Sequence, residues 1–211
     1  MKQFDLSLYL VLDPDLCAGY GLVETARAAV AGGATIVQLR DKTADTRQMI
    51  ETGRALQQAL SGSKALLVIN DDVDAAIALG ADGLHIGQDD LGAIEARRRV
   101  GPDMILGLSV ETEALAAAVD QQIIDYAGIG PVFATATKPD HKQPIGISGL
   151  AELTRVCPVR SVAIGGLKAD HVSPVLAAGA EGLAVVSAIC GQPDPQAATA
   201  AIAAMIRKVR S

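Results

Sequence analysis

The sequence predicts a (β/α)8 TIM barrel of class α/β, on three observations. Short apolar runs alternate with alanine-rich helical stretches along all 211 residues. Runs such as Ala65-Leu66-Leu67-Val68-Ile69 are apolar at consecutive positions, as parallel strands covered on both faces require. Polar clusters follow several of these runs, at the C-terminal strand ends where such a barrel builds its active site.

Taken along the chain, the first strand is expected at residues 6–12 and its helix at 22–31. Gly32-Gly33-Ala34 closes that helix, in the manner of a left-handed C-terminal glycine. A second strand at 35–39 leads to a helix at 46–60. The third strand, 65–69, precedes a short helix at 73–79, closed by Gly80-Ala81-Asp82-Gly83. The fourth strand, 83–86, is followed by a helix at 93–100, and the fifth, 104–108, by one at 113–119. The longest connection in the chain separates the sixth strand, 126–129, from a helix at 149–156. The seventh strand, 160–164, precedes a helix at 169–177, after which Gly179-Ala180-Glu181-Gly182 repeats the earlier helix-to-strand signal. The eighth strand, 182–186, leads to a helix at 196–209, with Pro195 suited to its first turn.

Eight units in 211 residues leave about 26 each, near the lower limit of about 200 residues for this architecture. One domain spanning residues 1–211 is expected, since no composition break or linker interrupts the pattern. A doubly wound open sheet is the alternative, but the Gly-rich dinucleotide turn it would carry after its first strand is missing.

Composition narrows the function. A formal net charge of -6 and an aromatic content of 2% argue against nucleic acid, which rewards basic surfaces and stacking rings. The same charge gives no reason to bind an anionic membrane, and no apolar run approaches the roughly 18 residues of a membrane span. Cys17, Cys157 and Cys190 form no spaced pattern, so each reads as a small packed hydrophobe in a reducing compartment. The N-terminal residues lack the basic-then-apolar layout of a signal peptide. A cytoplasmic enzyme acting on small-molecule substrates is expected.

The chemistry-bearing residues lie at strand ends. Gln38, Arg40 and Lys42 share one parity while Val37 and Leu39 share the other, which sends the polar set inward and the apolar pair toward the helices. Buried Gln and Arg without partners would be unfavourable, and a bound anion would resolve this. Asn70-Asp71 ends the third strand and Asp90 follows the fourth. Two carboxylates from adjacent strands suit a magnesium ion, which takes one or two protein carboxylates beside water and phosphate oxygens. Alone, Asp71 and Asp90 read equally as helix N-caps, and Asp89 competes as a neighbour. Ser109, just past the fifth strand, suits either substrate contact or a helix cap.

Two hydroxyls and a cation in Thr135-Ala136-Thr137-Lys138 suit an anionic group, and the long loop that follows, through His141 to Gly146, suits a functional segment. Gly165-Gly166 and Ser187 follow the last two strands, whose loops often bind phosphate through backbone N–H groups; Gly-Gly also serves as a tight turn. His85 lies inside a strand and reads as a hydrogen-bonded core residue, and His171 as a surface one. No nucleophile–base motif is present. These residues point to two anion sites and a divalent cation at one end of one barrel, suited to a reaction with a departing pyrophosphate.

Together the clusters resemble the thiamine-phosphate synthase family over about residues 8–189. The matching motifs are Gln38-Leu39-Arg40-Asp41-Lys42, Asn70-Asp71, Gly80-Ala81-Asp82-Gly83-Leu84-His85-Ile86-Gly87-Gln88, Asp90 and Gly107-Leu108-Ser109. They continue with Gly128-Ile129-Gly130-Pro131-Val132-Phe133, Thr135-Ala136-Thr137-Lys138, Ala163-Ile164-Gly165-Gly166 and Val186-Ser187-Ala188-Ile189. The resemblance implies that Gln38, Leu39, Arg40, Asp41 and Lys42, with Asn70, Ser109 and Lys138, hold an aminopyrimidine diphosphate. It implies one Mg2+ on Asp71 and Asp90, and a thiazole phosphate held by Thr135, Ala136, Thr137, Gly166, Val186 and Ser187. Arg40, Lys42, Ser109 and Lys138 would serve the reaction, which joins the two rings dissociatively and releases pyrophosphate.

One departure from the family pattern stands out. Asp72 occupies a position where the family usually has arginine, and a helix cap there is expected. Two other readings compete. A thiazole-phosphate-binding tautomerase or regulatory paralogue would lack the diphosphate residues that this chain keeps. A sugar-phosphate isomerase or lyase barrel would need an acid/base pair on opposed strands.

Overall fold

Alternation along each strand sorts the apolar residues into two layers. The computed structural model describes residues 3–135 and 143–211, and in it eight parallel strands close into a barrel. The elements run β1 (Leu8–Leu12), α1 (Pro14–Cys17), α2 (Leu22–Gly32), β2 (Ile36–Leu39), α3 (Thr46–Leu60), β3 (Leu66–Asn70) and α4 (Val73–Leu79). They continue with β4 (Gly83–Ile86), α5 (Ala93–Val100), β5 (Ile105–Val110), α6 (Glu113–Ala117), β6 (Tyr126–Ile129) and α7 (Gly146–Val156). The chain finishes with β7 (Arg160–Ile164), a 3-10 turn (Ala169–His171), α8 (Val172–Ala177), β8 (Gly182–Val185) and α9 (Pro195–Arg210). Closure comes from β8 pairing with β1, where Leu10 stands beside Val185.

Odd and even strand positions face different neighbours. Tyr9, Val11, Ile36, Val68, Ile105, Tyr126, Val162 and Ala184 fill the barrel interior. Leu10, Val37, Leu39, Ile69, Leu84, Leu106 and Leu183 pack outward against the helices. Each fully buried aliphatic side chain contributes roughly 1.5–3 kcal/mol relative to exposure, so both layers matter to stability. The parity read from Val37, Gln38 and Leu39 is therefore correct: Gln38 lines the inside.

Caps set the helix boundaries. Asp13, Asp45, Asp72, Thr112 and Asp194 each accept a backbone N–H at the start of a helix. At the other end, Gly33 (φ 108°) and Gly80 (φ 57°) adopt the left-handed conformation that stops α2 and α4. The sequence expectation missed α1, although Asp13-Pro14 is an N-cap followed by a first-turn proline. It also carried the seventh helix as one piece; the structure divides it into a 3-10 turn and α8. Strand β5 runs two residues further than expected, so Ser109 lies inside it. No helix among the described residues is long and apolar enough to cross a membrane.

Candidate active site

Every strand contributes to a cleft at the C-terminal end of the barrel. From β2 and its loop come Gln38, Arg40 and Lys42; from β3 and the residue after it, Asn70 and Asp71; from β4 and its loop, His85, Gly87 and Asp90; from β5 and the residue after it, Ser109 and Glu111. The opposite wall carries Pro131 and Thr135 after β6, Gly165 and Gly166 after β7, and Val186 and Ser187 after β8. Ala136, Thr137, Lys138 and His141 lie outside the described residues.

The acidic corner has a particular geometry. Asp71 sits at φ 62°, a left-handed conformation that Asp enters more readily than most residues. Its N–H donates to the His85 carbonyl at 2.8 Å, tying the end of β3 to β4. Its carboxylate pairs with the Lys42 ammonium and meets the carboxyl of Asp90. Burial raises the Asp71 carboxyl above the ordinary range, and the hydrogen bond with Asp90 adds to this against the pull of Lys42. Asp90 moves the other way: burial opposes ionisation, but hydrogen bonds from Asp71 and from Gly87 N–H (2.7 Å) outweigh it.

Neither of these aspartates caps a helix. Asp72 caps α4, accepting from Ala75 N–H at 2.8 Å, as its sequence context led one to expect. Asp89 does not line the cleft, which removes it as a competitor. Among the described residues no three of His, Cys, Asp and Glu gather into a metal-binding group. Two hard carboxylates beside a cationic pocket nonetheless fit Mg2+, which keeps several waters and takes phosphate oxygens for the remaining positions.

Two members of the expected substrate segment point elsewhere. The Leu39 side chain is fully buried in the outer layer between barrel and helices, because its parity is opposite to that of Gln38. Asp41 turns back on its own loop, accepting from Thr43 N–H (2.9 Å), the Thr43 hydroxyl (2.8 Å) and Ala44 N–H (3.1 Å). Gln38, expected to need an anion, already donates to the Tyr9 hydroxyl at 2.7 Å. Sequence reasoning also passed over Asp13 and Glu111, which line the cleft just after β1 and β5. The positional rule that found Asn70 and Ser109 would have found these too.

Glycines shape the opposite wall. Gly165 (φ 102°) and Gly166 (φ 63°) turn the chain after β7, and a Cβ at Gly166 would lie 2.7 Å from the Ala134 carbonyl. This lets the β7–α8 connection press against the segment after β6, where Val132 N–H donates to the Ile164 carbonyl at 2.8 Å. The Gly-Gly pair is thus a tight turn that also borders the cleft.

Cations, carboxylates and a glycine-rich turn converging on the C-terminal mouth define the class: an α/β-barrel enzyme acting on small molecules. A family model described as thiamine monophosphate synthase matches residues 8–189, and the chain belongs to that family. It is 49% identical to the thiamine-phosphate synthase of Xanthobacter autotrophicus, covering 99% of both chains. To that of Laribacter hongkongensis it is 46% identical, covering 94% of each. A solved structure of thiamine phosphate pyrophosphorylase from Pyrococcus furiosus superposes with a TM-score of 0.88, at 35% identity over 98% of both chains.

Proposed function

We propose that this chain is a thiamine-phosphate synthase, a transferase of thiamine biosynthesis. It joins an aminopyrimidine methyl diphosphate to a thiazole phosphate, giving thiamine phosphate and pyrophosphate. The observation that carries this is the convergence of Arg40, Lys42, Asp71 and Asp90 on one side of the cleft, with Gly166 and Ser187 opposite. A tautomerase or binding paralogue on the same barrel would have no use for the first group.

The roles follow from chemistry. Arg40 and Lys42 hold the diphosphate by charge-assisted hydrogen bonds. Gln38, Asn70 and Ser109 surround the pyrimidine ring. Thr135, Gly166, Val186 and Ser187 border the place for the thiazole phosphate, joined in this reading by Ala136 and Thr137, while Lys138 joins Arg40 and Lys42 at the diphosphate. Asp71 and Asp90 would hold Mg2+, whose positive charge would offset that of the departing pyrophosphate.

The carbon–oxygen bond to the diphosphate breaks with its electron pair on the pyrophosphate, and the pyrimidine amino group stabilises the cation left behind. The thiazole nitrogen then donates its lone pair to the exocyclic carbon. No protein base or nucleophile is required, so the chain's work is to bind, align the two rings and stabilise the leaving group.

The test is an end-point assay with both substrates, with Mg2+ or with chelator, reading thiamine phosphate after oxidation to fluorescent thiochrome. Product in the magnesium arm and none with chelator is expected. Absence of product from protein that still binds thiazole phosphate would favour the binding paralogue.

A further inference from the structure

Along the floor of the cleft, five polar side chains from five strands form one hydrogen-bonded line. Gln38 Nε2 (β2) donates to the Tyr9 hydroxyl (β1) at 2.7 Å. Tyr9 and Tyr126 (β6) join hydroxyl to hydroxyl at 2.8 Å, and Tyr126 reaches His85 Nδ1 (β4) at 2.9 Å. His85 Nε2 meets Ser109 Oγ (β5) at 3.0 Å. The two tyrosines are 1% and 0% exposed. Burial raises both phenols far above their ordinary range, so they stay neutral and serve as donor and acceptor at once.

The neighbouring backbone is built around this line. A Cβ at Gly107 would lie 2.2 Å from Tyr126 Cζ and 2.5 Å from His85 Nδ1. At Gly128 it would lie 3.1 Å from His85 Cε1. Tyr9, Gln38, His85 and Ser109 all border the cleft, whereas Tyr126 does not reach it.

A line of neutral hydroxyls and one imidazole has a direction, because each hydroxyl has one proton and two donors cannot face each other. Gln38 donates, so the Tyr9 proton goes to Tyr126 and the Tyr126 proton to His85 Nδ1. His85 then carries its own proton on Nε2 and gives it to Ser109, whose O–H turns to the cleft. At the other end the committed Nε2 leaves Gln38 Oε1 toward the cleft. That agrees with the lack of any unsatisfied buried side-chain nitrogen or oxygen among the described residues.

We propose that Tyr9, Tyr126 and His85 are positioning residues that fix an acceptor at Gln38 and a donor at Ser109, selecting an amino-substituted pyrimidine over its oxo analogue. The inference rests on reading the cleft as a site for an aminopyrimidine diphosphate. An amino group donates to Gln38 Oε1, and an unprotonated ring nitrogen accepts from Ser109. The oxo analogue presents an oxygen and a ring N–H instead, so every proton along the line would have to reverse.

Tyr126→Phe tests this, because it cuts the line at a residue outside the cleft and keeps the ring. The reading is the ratio of kcat/KM for the amino and oxo pyrimidine diphosphates. The parent protein should favour the amino substrate by about 100-fold or more, since a site built to hydrogen-bond one pattern rejects its reverse. Tyr126→Phe should narrow that ratio by about 2- to 12-fold, the value of one hydrogen bond, with the KM for thiazole phosphate unchanged. A ratio that stays the same, whether or not both rates fall together, overturns the proposal. Nitrogen-15 NMR of the unsubstituted protein gives a second, turnover-independent reading, with the His85 proton expected on Nε2. A proton on Nδ1, alone or with one on Nε2, overturns the stated polarity. Absence of thiamine phosphate from the parent protein would strike the functional reading, while the His85 spectrum would still report the line's direction.

Discussion

Lys42 reaches from the loop after β2 to pair its ammonium with the carboxylate of Asp71, the left-handed residue just beyond β3. Asp71 thereby faces a cation on one side and the Asp90 carboxyl on the other. In the proposed reading this corner takes a ligand of mixed charge, a divalent cation at the acids and phosphate oxygens at Lys42 and Arg40.

Asp71→Asn and Asp90→Asn should each lower turnover at least about 100-fold at saturating magnesium, the scale of losing one electrostatic contributor to a developing charge. The urea midpoint should change little for Asp90→Asn, whose side chain contacts an exposed loop. Near-normal turnover in either variant would remove that residue from the metal site.

Lys42→Ala should raise the KM for the pyrimidine diphosphate by about 10- to 100-fold, the worth of one charge-assisted hydrogen bond. The KM for thiazole phosphate should stay within a factor of about two. A rise confined to thiazole phosphate would show that the two anion subsites are assigned the wrong way round.

Asp72→Ala should cost about 1 kcal/mol of stability through the lost N-cap of α4. Turnover at a temperature well below unfolding should be unchanged, since Asp72 does not line the cleft. Urea denaturation and steady-state rates separate the two effects; a large loss of rate with no loss of stability would place this acid in the site.

Gly107→Ala should destabilise the fold by about 1–3 kcal/mol, as overpacked cores do, because its Cβ would enter the Tyr126 ring and the His85 imidazole. Denaturant unfolding measures it. A neutral effect would mean that the interior has room the structure does not show.

Asp41 predicts a pH dependence of stability. Burial opposes its ionisation, but the bonds from Thr43 and Ala44 outweigh that and hold its carboxyl below the ordinary range. A depressed folded value stabilises the fold above the unfolded pKa, near 3.9, and the benefit fades as pH falls through the folded value. The stability gap between the parent protein and Asp41→Asn should therefore be full at neutral pH and shrink below about pH 4. A gap that is constant down to pH 2 would show that the loop bonds do not depend on the charge.

Much of the barrel was legible because its signals are local. The run from Ala65 to Ile69 is too short and too uniformly apolar for an exposed helix, and Asp72 followed by Val73 starts a helix by supplying its own cap. Gln38 could be turned inward by parity alone. The same parity turned Leu39 outward, where the structure has it; only the family segment, taken as a block, carried it into the site. Asp41 was hidden for a different reason: its hydrogen bonds run two and three residues ahead in a loop, where neither a period of 2 nor one of 3.6 applies.

What the sequence determined by itself was the succession of elements, the faces they bury, and the strand ends that carry polar groups, all set by neighbours within a few residues. Only the tertiary structure decided which strand ends meet. Closing β8 onto β1 brings Tyr9 to Tyr126, 117 positions along the chain, and through His85 links Gln38 to Ser109. Such contacts depend on barrel register and closure, a property of all eight strands at once that no local pattern encodes.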